Sequence, residues 1–514
     1  MKNGKNILTV LVAAVVATLT LASCSDLLDI PRKGVMDKET YYQDVNNLEG
    51  AAAAMYTEVR GWEYNVLLCK NMLTDDFYAG GAARGDNIDL EKLNEFTFDS
   101  EESYIESMFK TYYSLIYKAN VILGNVDPAS GDVAARVVAE ARVFRAWAYF
   151  ELISLWGNPP LVDHVLSPSE YNMPNGETEA LWGLVESDLT AAISSGKLSE
   201  KSSVDDNTQW RVTKQYAQAL LGKAYLWQKK YEDASKAFNE VVNSGKYKLF
   251  TAEPYGDMFL SRNDMNCESI FESQRVNDPD NYDFGLYNLM IGWRSSGGEM
   301  TIPSNVCFTG GWGFVLPRQA LYDAFQKDGD TYRRSESFKT FDEIKAMGVT
   351  VNKNMVSAGF WMWKNRIITD EAINSGWSNI RNTRWMRYAE VLLCGAEANL
   401  QAGHADVATN YVNQIRSRAQ LPAKASVTLD DIKLEKRLEM CGEALRYQDL
   451  VRWGEGSLMK DNGASYPDCD PSGKVTLIST NQTSYGFKDG KHDRLPYPYT
   501  EIMLNSEITQ NPNY

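Results

Sequence analysis

Residues 215–247 read QYAQALLGKAYLWQKKYEDASKAFNEVVNSGKY. Leu221 and Gly222 stand just before Tyr225, Ala234 follows nine residues after it, and Phe238 comes one helical turn later. These positions match the tetratricopeptide signature L-G-x-x-Y…A-x-x-x-F. Small residues let two antiparallel helices approach closely, and the aromatics fill the gaps between them. The stretch therefore predicts a helical pair.

Weaker copies of the unit lie on both sides. Residues 390–419 place Ala396 and Ala398 in a first helix, Gly403 at a turn, and Ala408 and Val412 in a second helix. Residues 139–157 pair with 180–193, and residues 46–60 with 104–126. Apolar residues in all of them recur at three- and four-residue spacing. Four pairs, at about 46–126, 139–193, 215–247 and 390–419, suffice to stack a continuous core. The expected fold is mainly α: a tetratricopeptide-like helical-pair scaffold. Residues 61–103 and 250–385 differ, being rich in glycine, aromatics, Asn and Ser. Loops that long carry function or short elements of their own. The longer one, about 250–385, is expected to form a loop-rich insertion subdomain between the third and fourth pairs.

The N-terminus has a separate character. Lys2 and Lys5 precede an apolar run from Ile7 to Ala22, shorter than the roughly 20 residues a membrane-spanning helix needs. That is the pattern of a secretory signal. Leu21-Ala22-Ser23-Cys24 resembles a bacterial lipobox, which makes residues 1–23 a lipoprotein signal peptide, Cys24 the lipidated first mature residue, and 24–514 one domain. The chain carries 52 Lys and Arg against 68 Asp and Glu, a net charge of −16. No basic run is present to follow a phosphate backbone, so nucleic acid is not an expected partner. Cys69, Cys267, Cys307, Cys394, Cys441 and Cys469 are scattered, and Cys69, Cys394 and Cys441 read as small buried hydrophobes. His164, His404 and His492 have no metal-site spacing, so no metal and no cofactor is expected.

Near the C-terminus stand Arg387-Tyr388-Ala389-Glu390-Val391-Leu392-Leu393 with Ala396-Glu397-Ala398-Asn399, then Glu435-Lys436-Arg437-Leu438-Glu439 and Gly442-Glu443-Ala444-Leu445-Arg446-Tyr447-Gln448-Asp449-Leu450-Val451-Arg452-Trp453-Gly454. Leu495-Pro496-Tyr497-Pro498 and Gln510-Asn511-Pro512-Asn513-Tyr514 close the chain. In that order, behind a lipobox, these motifs resemble those of the SusD/RagB-like nutrient-uptake outer-membrane lipoproteins of the Bacteroidetes. Asn513 and Ala444 depart from the family, which commonly has glycine at both places. The charged stretch from Glu435 to Arg452 is expected to make buried or half-buried ion pairs that pin the last helices. The resemblance implies capture of oligosaccharides at the outer-membrane surface and a SusC-like TonB-dependent β-barrel transporter as partner. Peptide or glycoprotein capture on the same fold, and a tetratricopeptide-type protein-binding scaffold, are the alternatives.

No G-x-S-x-G, H-E-x-x-H or G-x-x-x-x-G-K-[ST] occurs, so catalysis is not expected and no catalytic residue is assigned. Adhesion has better candidates. Residues 282–314 carry Tyr287, Trp293 and Trp312 among seven glycines. Rings held on glycine-bent backbone form platforms for the C–H face of a sugar. Residues 71–87, NMLTDDFYAGGAARGDN, add Asp75, Asp76, Tyr78 and Arg84 around Gly80-Gly81. By the resemblance, this loop and the one after the third pair build the ligand face together, bringing Asp75, Arg84 and an aromatic near Trp293 or Trp312 into contact. Phe360-Trp361-Met362-Trp363 alternates like a strand and forms, with Trp377, a third aromatic cluster.

Overall fold

The computed structural model describes residues 41, 42, 44–276, 278, 285–373 and 377–514. The signal segment and Cys24 lie outside them, as do Tyr282 and Phe284. Two long helices, α4 (Ser103–Asn125) and α5 (Asp132–Trp156), pack along one another, and α1 (Val45–Gly61) lies against both. α5 also packs on α6 (Thr178–Ser194), and α6 on α7 (Lys214–Trp227). α7 pairs with α8 (Tyr231–Asn243) as residues 215–247 predict. The Thr213 hydroxyl opens α7 by accepting from the Tyr216 N–H at 3.1 Å. Across the insertion, α8 packs on α10 (Tyr388–Gln401), which pairs with α11 (Ala405–Arg418). The insertion therefore leaves the stack and returns to it at the next layer. The scaffold is the tetratricopeptide-like stack of helical pairs that the sequence predicts.

Glycines set the inter-helix distances. A Cβ on Gly222 of α7 would stand 2.9 Å from the Phe238 ring, and one on Gly395 of α10 would stand 3.2 Å from the Phe238 Cβ and from Tyr411. Phe238 is thus a buried wedge between the third and fourth pairs.

The charged C-terminal stretch is two helices, α12 (Leu429–Met440) and α13 (Arg446–Trp453). The break has a backbone cause. Gly442 and Ala444 have φ of +76° and +60°, left-handed values that no helix continues through. Glycine would hold both positions without strain; Ala444 holds its own while its N–H donates to Asn71 Oδ1 at 3.1 Å. Asn513, at φ +69°, is also left-handed, which Asn tolerates. Both helices make the expected ion pairs: Lys436 to Asp449 at 2.8 Å, and Arg452 forked onto Glu397 of α10. The terminal motifs are clamps on the end of α5. Leu495 N–H donates to the Leu155 carbonyl at 2.7 Å, and Trp156 Nε1 to that of Pro496 at 2.8 Å.

The insertion has its own core. Trp293, Trp361 and Trp363 pack with Met300, Ile302, Leu316, Val349 and Met355. The predicted strand is β5 (Phe360–Met362), paired with β4 (Phe338–Thr340). It alternates as expected. Trp361 joins the tryptophan core, while Phe360 stacks on Tyr322 at 4.9 Å. The described cysteines are free thiols, and Cys69, Cys394 and Cys441 are buried.

Candidate functional site

The two glycine-rich loops meet. β1 (Phe77–Gly80) pairs antiparallel with β3 (Phe314–Pro317), in the register Phe77↔Pro317, Tyr78↔Leu316 and Gly80↔Phe314. Gly81 N–H extends the ladder by donating to the Gly313 carbonyl at 2.7 Å. On its other side, the 310–313 loop lies directly on the 289–295 segment. Trp312 N–H donates to the Leu289 carbonyl at 2.9 Å, and Gly313 N–H to that of Gly292 at 2.8 Å. A Cβ on Gly311 would fall 2.3 Å from the Gly292 carbonyl carbon. The glycines are there for backbone-on-backbone contact, and that contact leaves Trp312 as the loop's large side chain.

Trp312 is half-buried. Its indole meets Trp377 edge-to-face, with centroids 6.1 Å apart and planes at 85°, and Trp377 is 43% exposed. The pair makes an aromatic corner at the surface. Trp377, which the sequence groups with Phe360–Trp363, packs on Trp312. Behind the corner, Arg294 Nη1 donates to the Trp312 carbonyl at 2.7 Å and pairs with Asp86 Oδ2 at 2.8 Å, while its Nε lies 3.3 Å from Glu299 Oε1. Asp86 Oδ2 also accepts the Ala82 N–H at 2.9 Å.

Other residues expected at the face lie elsewhere. Trp293 is 2% exposed; its ring packs on Trp363 at 5.7 Å, and its Nε1 donates to the Met362 carbonyl at 2.7 Å. Tyr287 is buried, its hydroxyl accepting from Asn71 Nδ2 at 3.0 Å. Both rings are core and offer no face to a ligand. Asp75 and Asp76 are buried too, turned toward the helices C-terminal to the insertion. Arg446 forks onto Asp75 with two 2.9 Å bonds, and Arg437 reaches Asp76 at 2.7 Å. Burial favours the protonated acid, but Arg446 and Arg437 outweigh it at Asp75 and hold its carboxyl at about 2. At Asp76 burial dominates, and its pKa is raised. The carboxylates join the scaffold to the loop, so the expected meeting of Asp75 with the aromatic loop does not occur.

Tyr78 and Arg84 line a small cleft behind Gly80 with Glu91, Glu95 and Tyr466. Arg318 lies 4.0 Å over the Tyr78 ring while donating to the Phe77 carbonyl at 2.7 Å and Asn94 Oδ1 at 2.8 Å. Arg84 grips Glu95 with both guanidinium nitrogens and covers Tyr466 at 5.6 Å. The loops thus come together as expected, but through Asp86, Arg294 and Trp312. Asp86 and Arg294 went unread in the sequence, where the R-G-D-N run just before a helix was the available signal. Such a surface can stack a ring and hydrogen-bond hydroxyls. Among the described residues, no group of three or more His, Cys, Asp or Glu side chains is placed to hold a metal ion.

Two family descriptions match the chain. Residues 345–514 match "SusD family", and residues 37–226 match "Starch-binding associating with outer membrane". A SusD-like protein of Bacteroides ovatus is 26% identical over 85% of this chain and 82% of its own length. SusD-like protein P38 of Formosa agariphila is 23% identical over 88% and 92%. A solved structure described as a laminarin-binding SusD-like protein superposes with a TM-score of 0.78 at 26% identity, covering 91% of this chain and 99% of the other. Helical-pair scaffold, insertion and terminal clamps agree with these matches: the chain belongs to the SusD/RagB-like family.

Proposed function

We propose that the protein captures glycans without transforming them, holding an oligosaccharide at the Trp312–Trp377 corner. The observation that carries this reading is the corner itself: two tryptophans at 85°, Trp377 43% exposed and Trp312 fixed by backbone contacts at the junction of two loops. A sugar's C–H face packs on an indole, and nearby polar groups orient its hydroxyls. Kinship supports it, since one matching description names starch and the superposed structure is named for laminarin. Such weak, multi-contact binding suits a protein that must release its ligand. In this reading Cys24 carries the lipid anchor after removal of residues 1–23, and the domain works at the outer-membrane surface beside a SusC-like TonB-dependent β-barrel transporter.

Calorimetry with laminarin and starch oligosaccharides tests the site. Trp312→Ala and Trp377→Ala should each weaken binding roughly tenfold or more while leaving the melting temperature within a few degrees, since a stacking ring contributes about 1 kcal/mol beyond its buried area. Full binding by both variants removes the corner from the site. For the anchor, Cys24→Ala should abolish incorporation of a labelled lipid; lipid retained on that variant overturns the assignment.

A further inference from the structure

The guanidiniums at this face are already engaged. Arg294 Nη1 is shared between Asp86 and the Trp312 carbonyl, and its Nε lies 3.3 Å from Glu299 Oε1, so two carboxylates offset its charge. Arg84 is forked onto Glu95. Arg318 is spent on the Phe77 carbonyl and Asn94, under the Tyr78 ring. Lys353 Nζ rests on the Gly297 carbonyl at 2.6 Å, on the exposed rim where salt screens it.

We propose that the Asp86–Arg294–Glu299 triad commits the aromatic corner to uncharged glycans and excludes those bearing uronate or sulfate. The inference rests on the glycan reading above and adds the ligand's charge to it. A carboxylate or sulfate approaching Trp312 would meet a guanidinium whose charge Asp86 and Glu299 already offset. It would also face Asp86, which retains 29% of its side-chain exposure. The net charge of −16 opposes a polyanion at longer range. A neutral sugar meets none of this. Its hydroxyls can donate to the outer lone pairs of Asp86 while its ring packs on the indoles, and no ion pair has to break.

The triad is also built so that its removal would reverse the preference. Arg294 keeps 14% side-chain exposure and Glu299 8%. Neutralising the carboxylates would therefore leave an accessible guanidinium beside the tryptophans, and guanidinium forks fit carboxylate and sulfate oxygens. Asp86→Asn preserves the acceptor for the Ala82 N–H. Glu299→Gln preserves the one for the Gly297 N–H, now held at 3.0 Å.

The test is native affinity electrophoresis at about 0.1 M salt, which screens the exposed Lys353. The neutral gels contain laminarin, starch or galactomannan, and the acidic gels polygalacturonate, alginate or chondroitin sulfate. The wild type should be retarded by at least one neutral polymer and by no acidic one. The Asp86→Asn/Glu299→Gln variant should gain retardation by an acidic polymer, with apparent affinity up roughly tenfold and lost again on adding salt. Wild-type retardation by an acidic polymer overturns the exclusion and leaves the glycan reading standing. A variant that melts like the wild type yet gains nothing overturns the triad's role. Retardation by no polymer of either class overturns the glycan reading, and this inference with it. If the double variant melts early, Asp86→Asn alone goes through the same gels with the same outcomes.

Discussion

His492 is fully buried among the rings of Phe96, Phe98, Phe487 and Tyr514, and its Nδ1 accepts the Lys488 N–H at 3.0 Å. Burial, with Lys491 and Lys488 nearby, pulls its pKa down to about 3. The folded state keeps the imidazole neutral where the unfolded chain, with a value near 6.5, takes up a proton. Stability should therefore fall as pH drops from about 6.5 toward 3, by at most about 1.4 kcal/mol per pH unit from this group. Urea melts of the wild type and of His492→Gln between pH 7 and 5 isolate it by difference, since Glu102 and Asp264, which burial raises to about 7, titrate in that window in both proteins. A His492→Gln variant whose stability falls as steeply as the wild type's over that window would remove the residue from the account. The tryptophans divide at this scale too. Trp293→Ala should cost about 3–5 kcal/mol, whereas Trp312→Ala should cost binding; a Trp293→Ala protein with an unchanged melt would mean that the insertion's core does not depend on that ring.

At the scale of elements, Gly222, Phe238 and Gly395 make one joint across α7, α8 and α10. Phe238→Ala should cost about 3–5 kcal/mol, because the cavity would sit between two layers that cannot collapse independently. Gly222→Ala should cost about 1–3 kcal/mol by forcing a methyl against the ring. Denaturant midpoints check both. If the two changes together restored a wild-type midpoint, the clash would be real and mutually relieved; if Gly222→Ala alone were silent, the spacing of α7 and α8 would have slack that the contact distance denies.

The whole molecule depends on a buried ion cluster between insertion and scaffold. Arg387 at the mouth of α10 pairs with Glu268 at 2.7 Å and Glu439 at 2.5 Å. Arg333 of the insertion pairs with Asp330 at 2.6 Å, Glu435 at 2.8 Å and Glu439 at 3.0 Å, and Arg418 of α11 reaches both Glu268 and Glu439. Burial would raise the Glu439 pKa, but Arg418, Arg387, Arg333 and Lys364 hold it well below the usual carboxylate range. Its contribution is thus complete above the unfolded value near 4.5 and is lost as pH falls below that. Glu439→Gln takes one charged partner from each of three buried guanidiniums and should cost about 3–5 kcal/mol. A midpoint change under about 1 kcal/mol would show that neighbouring carboxylates absorb the loss.

Local pattern determined the scaffold. The L-G-x-x-Y…A-x-x-x-F spacing, the three- and four-residue apolar periods and the glycine and alanine contact points depend on neighbours within one helical pair, and adjacent residues encode them. The Arg and Glu motifs could be recognised as ion-pairing for the same reason, because so many charges of both signs in an apolar frame must satisfy one another. The face of the insertion was decided by tertiary structure. Trp293 and Trp312 both sit beside glycines, and nothing local separates them; one fills the core with Trp361 and Trp363, while the other is left at the surface by a backbone contact between Gly311 and Gly292. Asp75 and Arg446 lie 371 positions apart in the chain, as Arg294 and Asp86 lie far apart, and only folding shows which carboxylate each guanidinium takes. Helical periodicity is a property of short sequence, but exposure of a loop side chain depends on what distant segments cover it.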